Sequence, residues 1–302
     1  MNNPINIDPI LRLFHVGGRG PFGPAETLLR MGEDMTVTLF EASMESIDEY
    51  NSFIKEYKDK HGVSLSVVQR CLSNTVGKKE FYIDLIPTCS SLYMSHPDAR
   101  HWTHVWNLKW GDMCATCDSI YMDTTTIDQL YASKKIKMPN FLSIDAQGSE
   151  YDILEGSIEA LKGDVVGIVT EVEFSPIYDG QKLFSDQDAF LRQYQFYLCD
   201  IISREYWHPG PVTGIGHLTA AEALFLRDYR YFANKNKEPY LLLSNLSKLA
   251  MVAYCFGRTS YSFEIMKYIM NNWNNEWNTF KNKYNNKYLH TLAELFAILM
   301  LN

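Results

Sequence analysis

Apolar and polar positions along this chain fall into short runs, cut by glycine and proline, that read as alternating strands and helices. Residues 11–16 (LRLFHV) form an apolar run stopped by Gly17-Gly18, with Gly20 and Gly23 following. Pro24 then opens a helical pattern. Residues 35–40 (MTVTLF) are β-branched and apolar and end on Glu41. Ser43 caps a predicted helix with Ile47, Tyr50, Phe53, Ile54 and Tyr57 on one face. Residues 63–71 read as a third strand. Strand, glycine turn, helix, strand, helix, strand is the opening half of a doubly wound α/β domain.

The middle is less regular. Residues 78–84 and 119–122 predict short strands, and residues 88–111 predict a loop excursion. Thr126 caps a helix over IDQLYA. Residues 141–144 form an apolar run ending at Asp145, and a helix is expected over 150–161. The continuous apolar run 165–172 predicts a central parallel strand covered on both faces. Residues 186–194 predict a helix. Residues 196–202 and 223–227 predict a last, antiparallel pair. Beyond them the pattern turns helical, over 240–254, 261–270 and 288–301. The expected organisation is a doubly wound, mostly parallel sheet over residues 1–228 and a helical extension over 229–302.

Charge sharpens that division. The chain of 302 residues carries 28 basic and 36 acidic side chains, a net charge of -8. Residues 229–302 hold nine basic and four acidic groups, a net +5, so the body is strongly acidic. An acidic body argues against nucleic acid as a partner. Eight asparagines lie in the segment 271–290, which reads as polar surface, while Leu289, Leu292, Leu295, Phe296, Leu299 and Met300 form a stripe for the body or for a second copy of the chain. No apolar run approaches the roughly 18 residues of a membrane span. No signal peptide is visible and six cysteines are too few for a disulfide scaffold, so the expected compartment is the cytoplasm. Aromatic residues make up 14% of the chain, enough to supply a pocket or an interface as well as the core.

The candidate chemistry gathers at strand ends. Gly18, Gly20 and Gly23 give the spacing G-x-G-x-x-G between the first strand and the first helix, where bare amides meet a polar ligand. Glu41 closes the next strand and is placed to accept ribose hydroxyls. No Walker lysine–serine pair follows, which disfavours an ATPase or GTPase. Both a nicotinamide enzyme and an S-adenosylmethionine enzyme fit these features. Asp145 ends the run 141–144, and Glu171 and Glu173, at the end of the run 165–172, share one face by alternation. Three acids on one rim can bind a divalent cation, balance a sulfonium, or act as a base. His96, His101 and His104 are irregularly spaced for zinc around Pro97, and Cys114-x-x-Cys117 has no partner pair. The segment WTHVWNLKW (102–110) can stack on sugar faces or fill core.

Taken in order, these segments resemble the FkbM family of S-adenosylmethionine-dependent methyltransferases. The resemblance rests on FHVGGRGPFG (14–23), LFEAS (39–43), CLSNTVGKKEFYI (71–83), TCSSLY (88–93), TTTIDQL (124–130), LSIDAQGSEYDILEGS (143–158), TEVEFSPIYDGQKLF (170–184) and ALFLR (223–227). It implies a class I, Rossmann-like fold with a seven-stranded sheet and O-methylation of a sugar, glycan or natural-product hydroxyl. It also implies that Gly17, Gly18 and Gly20 wrap the methionine and sulfonium, Glu41 takes the ribose, Ser73 borders the adenine and Asp145 lies near the methyl group. His15 stands where the family more often has an acid, which keeps a non-catalytic cofactor- or partner-binding reading in play. A nicotinamide oxidoreductase is disfavoured by the lack of a Tyr-x-x-x-Lys pair. Candidate bases are His208, in a Pro-Gly-bounded loop, His217, Glu171 and Asp145.

Overall fold

The computed structural model describes residues 7–17, 22–42 and 47–301. Gly18, Gly20 and Ser43 lie outside them. Seven strands form the main sheet: β1 (Leu11–Val16), β2 (Met35–Glu41), β3 (Ser64–Gln69), β7 (Phe141–Ile144), β8 (Gly167–Glu173), β9 (Phe196–Trp207) and β10 (His217–Arg227). Their order is β3-β2-β1-β7-β8-β10-β9, with β10 antiparallel to both neighbours and the others parallel. The chain winds outward from β1 to β3, then returns to place β7 on the other side of β1. A crevice therefore opens at the carboxyl ends of β1 and β7, the switch point where such sheets bind ligands.

Alternation along each strand divides the core in two. Leu11 and Leu13 of β1 and Val37 and Leu39 of β2 face one side; Phe14, Val16 and Phe40 face the other. The second side is covered by α3 (Ile127–Ala132), α4 (Glu150–Glu155), α5 (Ile158–Lys162) and α6 (Phe184–Arg192). On the first side, α1 (Ile47–His61) and a 3₁₀ segment, Gly23–Asp34, join the C-terminal helices α7 (Tyr229–Lys235), α8 (Pro239–Cys255), α9 (Thr259–Tyr284) and α10 (Lys287–Met300). Helix α8 is apolar nearly all round, and Leu246, Leu249 and Ala250 share one core with Leu13, Val37 and Val169. The stripe on α10 is partly spent there: Leu289 and Leu292 are buried, while Leu299 and Met300 are exposed.

The structure departs from the sequence pattern where pairing, not periodicity, decides. The segment 63–71 divides: β3 joins the main sheet and β4 (Cys71–Leu72) joins a second one with β5 (Gly77–Asp84) and β6 (Thr116–Thr125), ordered β4-β6-β5. β6 runs ten residues instead of the expected four because it pairs along the length of β5, although it is mostly exposed. The helix expected over 150–161 breaks at Gly156-Ser157. A Cβ on Gly156 would lie 2.2 Å from the Ser73 carbonyl oxygen, so only glycine lets the two segments approach. Pro24 opens a 3₁₀ segment, not an α-helix, and Gly32 kinks it at φ 58°. The final strands extend to Trp207 and His217 as a long bulged ladder. Within the excursion 88–111 are two single 3₁₀ turns and the short helix α2 (Trp110–Met113).

Candidate functional site

A cavity of about 520 Å³ opens over the switch point. Its inner end is sheet edge: Val16, Gly17, Glu41, Asp145 and Glu171. Its outer end is made by the excursion and the tip of β9: His104, Trp106, Trp110, Glu205 and Trp207.

The inner end is built by two tight turns. Gly17 has φ +95°, and a Cβ there would lie 1.6 Å from the Asp145 carbonyl oxygen. Any side chain would drive the β1 turn out of the crevice. The second turn explains the string DAQGSE. Gln147 (φ 55°) and Gly148 (φ 91°) take left-handed conformations, and a Cβ on Gly148 would meet the Tyr178 ring at 2.7 Å. Glu150 Oε1 accepts the Ala146 N–H at 2.7 Å and the Gly148 N–H at 3.2 Å, which locks the turn. The Gln147 amide donates to Asp145 Oδ1 at 2.9 Å and to Glu171 Oε2 at 3.5 Å. A left-handed non-glycine residue is costly and persists where its surroundings hold it; here those surroundings are two carboxylates and Tyr178.

Acids dominate this end. The register sets Glu222 of β10 directly opposite Glu171 of β8, and Asp145 follows Ile144, the β7 partner of Thr170. Asp145, Glu171 and Glu222 therefore form one row across three strands. Burial raises the Asp145 carboxyl and pushes Glu171 well above the ordinary range, with Asp145 adding to the second shift. Burial takes Glu150 to about 7 and, with Asp145, Glu222 to about 8. Asp145, Glu150 and Glu171 each offer an oxygen within 4.8 Å of the others, an arrangement able to hold a metal ion.

The outer end differs. A two-way bridge between Thr103 and His208, with N–H···O distances of 2.8 and 3.0 Å, pins the excursion to the end of β9. It brings His104 Nε2 to 3.3 Å from Glu205 Oε2, which also accepts the Trp207 indole N–H at 3.0 Å. His104 Nδ1 accepts the Trp106 N–H, so its proton sits on Nε2 and is given to Glu205. Burial works to raise the Glu205 carboxyl, but the hydrogen bonds from His104 and Trp207 hold it below its ordinary value. Trp106 is exposed at the mouth, while Trp110 and Trp207 are buried behind it.

Of the residues proposed from sequence, Gly17, Glu41, Asp145 and Glu171 line the cavity and Ser73, His208 and His217 do not. Ser73 is fully buried beside it, its hydroxyl 2.7 Å from Lys79 Nζ and 3.3 Å from Asp152 Oδ2. His208 contributes its backbone to the bridge, and His217 packs edge-on against Trp102. His15 is a core residue bonded through Nδ1 to Ser143 Oγ at 2.9 Å, and burial lowers it to about 4, so it is neutral. Two of the excursion histidines have separate partners: His96 caps the turn at 97–99 and His104 turns to Glu205. Glu150, Gln147, Glu205 and Glu222 join the site only through the fold. The alternation that paired Glu171 with Glu173 also applies to Glu205 and Trp207, and could have drawn attention to them.

A mostly parallel sheet in this order, with one antiparallel strand beside β9 and a cavity over the switch point, defines a Rossmann-like fold of the class I methyltransferase type. The methyltransferase FkbM domain matches residues 25–198, more than half of the chain, and the chain belongs to that family. The glycine turn, Glu205 and the C-terminal helices lie outside the matched segment. Among solved structures, the chain is similar to a methyltransferase FkbM from Methylobacillus flagellatus KT, at 11% identity, over 73% of this chain and 45% of that one, with a TM-score of 0.39. The match thus spans under half of that protein's length. No curated protein matches the chain.

Proposed function

We propose that this chain moves a methyl group from S-adenosylmethionine to a hydroxyl of a sugar, glycan or natural product. The observation that carries the reading is a single cavity joining the Gly17–Glu41 edge to a tryptophan-walled outer end. The inner end suits the cofactor: Gly17 lets the end of β1 pack directly on the Asp145 backbone at the crevice, Glu41 stands at the end of β2 where ribose hydroxyls are accepted, and Cys71 and Leu72 give an apolar wall. The family resemblance implies that Gly18 and Gly20 also serve the methionine portion. When bound, S-adenosylmethionine supplies an electrophilic methyl group, which passes to the acceptor oxygen while the C–S bonding pair stays on a neutral thioether.

The chain's own work is to hold the hydroxyl in line and to take its proton. Asp145 and Glu171, at the sheet edge, accept the hydroxyl and orient it. Glu205, kept ionised by His104 and Trp207, receives the proton. Trp106 offers an exposed ring at the mouth, a surface on which the apolar face of a sugar can stack. Residues 1–228 are the transferring unit in this reading, and residues 229–302 cover one face of its sheet. No helix among the described residues is long and apolar enough to cross a membrane.

Calorimetry of the full chain with S-adenosylmethionine and, separately, with NAD tests the cofactor half. Saturable binding of the first and none of the second is expected, with Glu41→Ala weakening it. Binding of NAD alone would sink the reading, and binding of neither would favour a non-catalytic protein.

A further inference from the structure

The acid row is short of partners. Like charges set directly opposite on neighbouring strands destabilise a sheet, yet Asp145, Glu171 and Glu222 stand side by side. The charges acting most strongly on Asp145, Glu150, Glu171 and Glu173 are other carboxylates. Glu173, two residues beyond Glu171 on the same face, is fully buried, and neither of its oxygens makes a hydrogen bond. The Gln181 amide eases its charge without a bond of normal geometry, and Glu150 is the charge it feels most. A buried carboxylate without a hydrogen bond, whose nearest charges are Glu150 and Asp145 of this cluster, marks a place where positive charge is missing.

The Gln147 amide carries a second sign. Its Oε1 lies 2.8 Å from the Tyr178 hydroxyl, which also lies 3.1 Å from the Cys89 carbonyl. That hydroxyl has one proton for two acceptors. Turning the amide over lets Nε2 donate to Tyr178 and frees the hydroxyl proton for Cys89. It also points the Gln147 carbonyl at Asp145 and Glu171, which a cation between them, or a proton on one carboxyl, makes favourable.

We propose that Asp145, Glu150 and Glu171 hold a hard divalent cation of the Mg²⁺ or Mn²⁺ class, with Gln147 Oε1 turning in as a fourth, neutral ligand. Oxygens within 4.8 Å of one another fit around an ion bound at about 2.0–2.4 Å. An all-oxygen set selects such ions over zinc or copper. Glu150 commits Oε1 to the turn and keeps Oε2 for the ion. Asp145 and Glu171 line the cavity, which supplies the entry path.

Titrating the EDTA-stripped full chain with MnCl₂ alone, by calorimetry and by loss of the free-ion EPR signal, tests this without any methyl donor. It therefore stands apart from the proposed transfer. One bound Mn²⁺ is expected, with affinity lower by about ten-fold or more in Glu171→Gln and in Asp145→Asn. Glu159→Gln, at an exposed acid on α5, should bind as wild type. Near-ultraviolet circular dichroism checks the packing of each variant, and the two ligand variants back each other should one misfold. No saturable binding by wild type, or equal binding by the wild type and a folded ligand variant, overturns the site.

Discussion

Two groups of buried charge in this molecule stand in contrast. At the seam between sheet and C-terminal helices, two buried cations are satisfied. Arg227 is fully buried; its guanidinium donates to the carbonyls of Val165, Tyr194 and Leu161 and lies 3.9 Å from the Phe196 ring centroid and 4.1 Å from that of Tyr231. Lys248 gives its ammonium to the Asp8 carbonyl and Asn140 Oδ1. At the cavity the charges are anionic and crowd one another. Burial alone does not separate these regions, since Arg227 and Glu173 are equally inaccessible. Completeness of pairing does. Where every donor has an acceptor, a buried charge is architecture; where acids face acids, it waits for a ligand or a proton.

The largest effect is expected at the satisfied end. Arg227→Met keeps much of the volume but leaves three carbonyls without a donor. At about 1–3 kcal/mol for each buried unpaired group, the loss should be ~3 kcal/mol or more. Urea denaturation checks this, and a loss below about 1 kcal/mol would mean that the stacking on Phe196 and Tyr231, not the hydrogen bonds, holds the seam. At the cavity the same sort of change should spare the fold and strike the chemistry. Glu205→Gln keeps the shape and removes the proton acceptor, so turnover should fall by about 10²-fold or more, the usual contribution of a general base, with S-adenosylmethionine affinity unchanged. Isotope-labelled methyl transfer to a glycoside acceptor and calorimetry read the two quantities.

The contrast also explains what could be read without a structure. The sheet was legible where a strand is buried on both faces or alternates cleanly, as in β1, β2, β7 and β8. β6 was legible only over 119–122, because most of its side chains are exposed and its length comes from partners such as Tyr121 opposite Glu80. In the candidate site, Asp145 and Glu171 announced themselves by ending apolar strands. Glu205 did not, because its setting comes from His104, about a hundred residues away in sequence and held there by the Thr103–His208 bridge. His208 looked suitable by composition, but that bridge uses its backbone. Glu222 and Gln147 acquire meaning only from strand register and turn geometry, which no single-strand pattern contains.

Lys248 shows what even a satisfied charge costs. Burial first, then Arg12, lowers its ammonium to about 7. An unfolded lysine titrates near about 10.4. Between these values the unfolded chain binds the extra proton, so stability contributed through this residue rises with pH across that window and is level below about 7. The slope is bounded by about 1.4 kcal/mol per pH unit. Comparing urea midpoints at pH 7.5 and 9 in the wild type and Lys248→Met isolates the term, and a slope unchanged in the variant would mean that the lysine stays charged throughout.

The smallest effect probes the acid row from its far side. Glu222 faces Glu171 across the β8–β10 pair but is not among the three oxygen donors gathered around Glu150. Glu222→Gln removes one of two opposed carboxylates while keeping size and hydrogen-bonding reach. In EDTA the variant should be more stable than wild type, by up to about 1 kcal/mol, the scale of a directly opposed cross-strand pair. In saturating Mn²⁺ the gain should shrink, because an ion held by Asp145, Glu150 and Glu171 relieves the same repulsion. Urea denaturation with and without the ion measures both. A gain that is the same in the two conditions would show that the row's repulsion is settled by protons alone, and a loss of stability would show that Glu222 has a partner worth more than the repulsion it suffers.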